Sequence, residues 1–467
     1  MSTSLSKKRM FGGALGIIIF IIFSFLPVVE PLEPKAFVGI GCLFAAVIFI
    51  LFDVVPDFVA ALAMCVTFVL TQTVSLGVAF STFSSATIWI VIGALGLGTA
   101  ASTSGLLKRV ALYMMRVMPA NYAGQTLSFI ISGFMIAPLI PSTAAKATIV
   151  APIARTTSEA LGIKPHSKPA VGMFMAFYTG FISSANGFLS ASFVSYALVG
   201  LMPEDKGISW MNWFIYGLPF MTVTFVLMTL FILFVWKPQE KKTLTKEYIQ
   251  NQIDELGNMT WQEKVTGIVM LICLVLWMLE KVLNVAAAMV ACAGALVVLA
   301  AGVYDKKAFR TMIPWENIIF VGCFLSITNV FPALKINEAI SFYLGDKLSF
   351  VVSSPYILVV AMCLLVYILR TILVSNTACV TLLTVLLMPL CVEKGIHPFI
   401  LIFVGYAAAN IWVFSYQNSP TIMSLAATDN KFVTHQELVP ASLYYMVFCV
   451  IASLASVPFW KLLGLIR

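Results

Sequence analysis

Pro141-Ser142-Thr143-Ala144 and Ser375-Asn376-Thr377-Ala378 are short polar stretches set near the centres of long apolar runs, one in each half of the chain. A bilayer tolerates broken backbone only where it is buried in protein or lines a water-filled cavity. The two stretches therefore predict re-entrant hairpins that meet a polar solute at mid-membrane depth. The first hairpin covers about 124–154 and is interrupted by Pro138, Pro141 and Pro152; the second covers about 352–395, with Pro389 late in it.

Outward from these points the chain is apolar almost throughout. Its 467 residues are 61% hydrophobic and only 10% charged, with a mean hydropathy of +1.00, too little polar surface to solvate a globule. A spanning helix needs about 20 apolar residues. Eleven runs qualify: 11–29, 35–52, 56–76, 87–106, 169–200, 213–236, 265–280, 285–303, 315–335, 398–428 and 440–464. The expected fold is an all-α membrane protein of about eleven transmembrane helices plus two re-entrant hairpins. Its expected divisions are a first span at 1–34, a first half at 35–236, a connector at 237–264 and a second half at 265–467.

Lys7-Lys8-Arg9 followed by an apolar run resembles a signal peptide, but without a small-residue cleavage pattern it reads as a retained first span. With the N-terminus in the cytoplasm, eighteen cations, Lys241 among them, fall in cytoplasmic segments and eight, Arg467 among them, outside. That bias supports this orientation by the positive-inside rule, and the expected location is an inner or plasma membrane. The formal charge of +8 is scattered between apolar runs, which excludes a phosphate-binding stripe and hence a nucleic-acid partner. The partners expected instead are the lipid bilayer and a small anion. The nine cysteines have no paired spacing and read as small core hydrophobes, with no cofactor or metal cluster implied.

Residues 106–118 carry Lys108, Arg109 and Arg116 among apolar residues, the pattern of an amphipathic helix on the cytoplasmic interface. The connector is read as a solvated, partly helical loop. Asn258-Met259-Thr260 matches a glycosylation acceptor that a cytoplasmic location would leave unused.

The two halves repeat in order. Trp89 and Trp315 open similar runs 226 positions apart, and Ser142 and Ser375 lie 233 apart. Each hairpin is followed by a long span ending in polar residues, Ser183-Ser184-Ala185-Asn186-Gly187 and Ser415-Tyr416-Gln417-Asn418-Ser419-Pro420-Thr421. An odd number of crossings between matching elements makes this an inverted repeat, as in secondary transporters. Gene duplication without a transport role is the plain alternative.

A helix restarted at each tip would aim an N-terminus worth about half a positive charge into the cavity. Two tips supply about one charge, so a dianion needs a further cation, captured or built in. Ser142, Thr143, Ser375, Asn376 and Thr377 can donate to a carboxylate or turn oxygens to a sodium ion. Lys146 is either that built-in cation or a lysine snorkelling to the interface. Arg370 reads as an edge residue reaching the outer interface. Asn186 and Asn418, at matching places, are either site residues or helix-packing amides.

On these motifs the chain resembles the divalent anion:sodium symporter family of dicarboxylate, citrate and sulfate carriers. Ser375-Asn376-Thr377 matches the family signature in the second hairpin, and 208–219 and the runs led by Trp89 and Trp315 add to it. The resemblance implies a scaffold domain, a moving transport domain holding both hairpins, elevator-type alternating access and a homodimer. It places Ser142 and Thr143 with Ala185, Asn186 and Gly187 at a first sodium and carboxylate position. Ser375, Asn376 and Thr377 with Gln417, Asn418, Ser419, Pro420 and Thr421 make the second.

The first hairpin departs from the Ser-Asn-Thr pattern as Ser142-Thr143-Ala144, and Lys146 stands where the citrate/succinate exchanger branch often has Arg. The run Tyr416-Gln417-Asn418-Ser419-Pro420 also differs from the family's usual one. Two transport readings follow: a sodium-coupled carrier of di- or tricarboxylates, or a sodium-independent exchanger using Lys146. An intramembrane enzyme would need a constellation at one depth, yet His166, His397 and His435 all fall in connecting segments and no span holds paired carboxylates. A channel would need a continuous polar lining rather than two points.

Overall fold

A computed structural model describes residues 2–239 and 242–466. Lys241 and Arg467, counted above among the connecting cations, lie outside the described residues. Among the described residues the regular structure is helical, with two isolated bridges, Asn121 to Thr243 and Ile396 to Ile466.

The longer helices of the first half are α1 (Ser2–Ser24), α2 (Ala36–Leu51), α3 (Asp57–Leu70), α4 (Ala86–Ser104), α5 (Leu106–Val117), α6 (Tyr122–Ile136), α7 (Thr143–Ala160), α8 (Lys168–Phe177), α9 (Phe193–Val199) and α10 (Trp210–Val235). The connector carries α11 (Lys246–Asp254). The second half holds α12 (Trp261–Met278), α13 (Ala287–Ala300), α14 (Trp315–Phe324), α15 (Ile327–Ala333), α16 (Ile336–Val352), α17 (Pro355–Arg370), α18 (Asn376–Glu393), α19 (Pro398–Ala409), α20 (Ser419–Ala427) and α21 (His435–Leu462). Seven helical stretches among the described residues are long and apolar enough to cross a bilayer, and five shorter apolar helices accompany them.

Burial separates two kinds of apolar helix. α10 and α12 expose Leu230, Phe234, Ile268, Leu271 and Val275, the outer face a bilayer would cover. α8 from Ala170 to Phe177 and all of α19 are buried on every side. A helix that is apolar all round belongs in the interior, and these two form the centre of the molecule.

The runs 169–200 and 398–428, expected as single crossings, are each broken. The first leaves regular helix at Tyr178, passes through tightened and widened turns to extended residues at Phe188 and Ser192, and resumes as α9. The second stops at Asn410 and resumes as α20. Close backbone contact accompanies the first break: a Cβ on Gly180 would lie 2.2 Å from the Phe129 carbonyl, and one on Gly133 only 2.1 Å from the Gly180 carbonyl carbon. Only glycine allows α6 to press its backbone onto the broken segment.

α5 matches the expected amphipathic helix, burying Leu107, Ala111, Leu112 and Met115 and exposing Tyr113 and Arg116. The connector is more ordered than a solvated loop. It buries Leu244, Ile249 and Ile253, and the Leu244 amide donates to the Ala120 carbonyl at 2.7 Å. α16 is a helix where the apolar runs, ending at 335 and resuming at about 352, left a connecting segment.

Candidate functional site

Both polar motifs start helices. α6 ends at a tight turn over Ala137–Leu139 that contains Pro138, and the chain stays extended until Ser142 caps α7, its Oγ accepting from the Ala145 amide at 3.2 Å. α17 ends at Arg370, and Ser375 caps α18 in the same way, accepting from Ala378 at 3.3 Å. Two long helices thus direct their N-termini, with unpaired amide groups, at one place.

That place is a cavity of about 890 Å³. Ser142, Thr143 and Ala144 of the first tip line it together with Ser375, Asn376 and Thr377 of the second, and Gln417, Ser419 and Pro420 join them. Thr99 and Ser102 of α4 line it, as do Asp57 and Glu316. Among the described residues no lysine or arginine lines it.

Two cations stand behind the tips. Lys146, one turn into α7, is fully buried and its Nζ donates to the Ala191 carbonyl at 3.1 Å in the first broken segment. This excludes the snorkelling reading, because the ammonium turns inward. Arg370 is also fully buried, which corrects its placement at the outer interface. Its Nε donates to Ala409 O at 3.1 Å, Nη1 to Leu373 O at 2.7 Å and to Val374 O, and Nη2 to Gln417 O. The physical reason is the broken backbone: carbonyls at the end of α17 and across the α19–α20 break lack amide partners, and a guanidinium carries enough donors to satisfy several. Among the described residues neither cation has a carboxylate within ion-pair distance.

The remaining expected residues sit behind the lining. Asn418 is buried and caps α20, accepting from Thr421 N at 3.1 Å, while Tyr178 OH donates to its Oδ1 at 2.9 Å and Thr421 Oγ1 donates to Tyr178 OH at 2.9 Å. Asn186 is buried and donates to Tyr445 OH at 3.1 Å. Asn186, Asn418, Thr421, Ala185, Gly187 and Lys146 do not line the cavity. Both ends of the Gln417 amide are occupied, Nε2 donating to Arg370 O and Oε1 accepting from Phe414 N, each at 2.8 Å.

Asn410 was not anticipated. It lines the cavity, accepts from Asn376 Nδ2 at 3.1 Å and donates to Asn186 Oδ1 at 2.7 Å. Its signal in the sequence is a single amide after three alanines inside a long apolar run. Among the described residues, Asn376 Oδ1 is left as a buried acceptor with no partner.

The family described as "Sodium:sulfate symporter transmembrane region" matches residues 7–466. Inner membrane protein YbhI of Escherichia coli K12 is 26% identical over 362 residues, covering 74% of this chain and 75% of its own. Dicarboxylate transporter 1, chloroplastic, of Spinacia oleracea is 26% identical over 66% of this chain and 56% of its own. An L-tartrate/succinate antiporter of Escherichia coli UTI89 is 29% identical over 44% of this chain and 43% of its own. The crystal structure of the Alcanivorax borkumensis YdaH transporter aligns over 98% of both chains with a TM-score of 0.55 and 12% identity, a likeness of fold alone.

Proposed function

The chain belongs to the sodium:sulfate symporter family, and from that premise we propose that it carries small dicarboxylates across a membrane by exchange, with Lys146 and Arg370 as built-in counter-charges. Relatives named as a dicarboxylate transporter and a tartrate/succinate antiporter support the substrate class. The observation that carries the reading is the pair of fully buried cations behind the two tips, each bonded to backbone carbonyls.

The charges decide between symport and exchange. Two helix N-termini offset about one unit of a dianion's charge. A symporter takes the rest from solution and releases it again, so its empty site returns uncharged. Fixed cations stay behind when the substrate leaves. An empty site would then carry uncompensated positive charge through a low-dielectric barrier, at a cost of several kcal/mol. Binding a second dianion removes that cost, which makes return without substrate slow and exchange fast.

The geometry of movement belongs to the same reading. α6–α7, α8–α9 and α10 recur in order as α17–α18, α19–α20 and α21, the arrangement an inverted repeat requires. We assign these elements to a transport domain that moves as an elevator against a scaffold built from α2–α4 and α12–α14, with dimerisation through the scaffold. Sodium coupling is the second reading, favoured by the partnerless Asn376 Oδ1, an acceptor that a captured cation at the second tip would satisfy.

The test is uptake of labelled succinate and citrate into proteoliposomes, with and without a sodium gradient and with and without internal dicarboxylate. Exchange predicts uptake that requires internal dicarboxylate and ignores sodium. Uptake driven by the sodium gradient into liposomes without internal substrate would replace exchange with symport.

A further inference from the structure

We propose that Asn410 is a positioning residue that joins the two halves of the site by fixing the orientation of the Asn376 amide. The proposal rests on the carrier reading above. Asn410 follows the last residue of α19 and caps it, its own N–H donating to the Ala407 carbonyl at 3.4 Å. Its Nδ2 donates to the Tyr406 carbonyl at 3.1 Å as well as to Asn186 Oδ1 at 2.7 Å. A carbonyl only accepts, so the Asn410 amide has one permitted orientation, with Oδ1 turned to Asn376 Nδ2.

The same logic runs the other way. Asn186, having accepted at Oδ1, donates from Nδ2 to Tyr445 OH at 3.1 Å, and Tyr445 passes its hydrogen to the Ala407 carbonyl at 3.0 Å. The relay begins and ends on neighbouring carbonyls of α19. Reversing any of the three amides would set donor against donor or acceptor against acceptor, which carries the penalty of unsatisfied groups. Asn376 at the second tip and Asn186 in the first broken segment therefore share one hydrogen-bond direction. Asn186 does not line the cavity, so its effect on a bound dicarboxylate passes through Asn410.

Binding of succinate and of citrate to the purified protein by titration calorimetry, with exchange rates in proteoliposomes, tests this. Asn410→Ala and Asn186→Ala are each expected to weaken binding about tenfold, with the maximal exchange rate held within about threefold. The double variant is expected to bind no more weakly than the weaker single, because one relay is broken once. Tyr445→Phe keeps the ring and removes only the hydroxyl, and is expected to weaken binding in the same direction. A purely structural role would instead lower the maximal rate and leave affinity alone. The relay is overturned if Asn186→Ala and Tyr445→Phe both keep affinity within about twofold of wild type, or if the Asn186 and Asn410 effects multiply in the double variant. Wild-type protein that binds neither anion overturns the carrier reading and the relay with it.

Discussion

Arg370 and Gln417 hold each other reciprocally: the guanidinium donates to the Gln417 carbonyl, and Gln417 Nε2 donates to the Arg370 carbonyl at 2.8 Å. One residue ends the first arm of the second hairpin and the other lies in the α19–α20 break. The exchange of bonds fastens the tip to the broken helix, so that both line the cavity as one unit.

Replacing Arg370 is expected to be severe. Arg370→Ala leaves the carbonyls of Leu373, Val374, Ala409 and Gln417 without this donor, and each uncompensated group costs about 1–3 kcal/mol. A large loss of thermal stability in detergent should follow. Arg370→Lys keeps the charge but not the planar fork, and should recover only part of the loss. An unchanged melting temperature for Arg370→Ala would remove the guanidinium from its structural role.

Lys146→Asn separates the charge from the fold more cleanly, since among the described residues Nζ makes a single hydrogen bond, to Ala191 O. The neutral variant is expected to bind succinate more weakly, on the order of tenfold. It should also gain net efflux relative to exchange, because its empty site carries less stranded charge. Efflux from loaded liposomes into buffer with and without external succinate reads the ratio directly. A ratio equal to that of wild type would show that the lysine charge does not restrain the empty carrier.

The tips were legible in the sequence because their signals are local. Ser142 and Ser375 are N-cap residues set in runs otherwise long enough to cross a membrane, and the caps form where that pattern places them. The break at Asn410 was not legible, since neither proline nor glycine marks it and the preceding alanines favour continued helix. It arises from side-chain contacts at the helix end, with Tyr445, Arg370 and Asn410 donating to the carbonyls of Ala407, Ala409 and Tyr406. Arg370 was misplaced for a related reason. Sequence position fixes depth along a hairpin, but not whether a cation faces lipid or the carbonyls of another segment.

Asp57 and Glu316 line the same cavity as the tips, where like charge opposes an arriving dianion. Asp57→Asn with Glu316→Gln is expected to lower KM for succinate about two- to fivefold at low ionic strength, with the difference shrinking as salt is added. Initial rates over a range of succinate concentrations at low and high salt, with sodium fixed, measure it. A raised KM would instead assign these acids a supporting part in binding.

Arg109 and Glu263 make the buried ion pair that holds the connector, with Nε to Oε1 at 2.8 Å and Nη2 to Oε2 at 3.0 Å. Arg109 also donates to the carbonyls of Leu256, Gly257 and Asn258, and Glu263 Oε2 accepts from the Thr260 amide to complete the cap of α12. The neighbouring carboxylate raises the guanidinium above its ordinary value, so Arg109 keeps its charge. Glu263→Ala leaves a buried cation with only carbonyl partners and loses the cap, and is expected to destabilise the fold by about 3–5 kcal/mol. Glu263→Gln keeps the shape and an acceptor and should lose less. Limited proteolysis provides the sharper readout, because a freed connector exposes 255–260 to cleavage while the buried helices stay intact. Cleavage at the wild-type rate in Glu263→Ala would show that Leu244, Ile249 and Ile253 hold the connector without the ion pair.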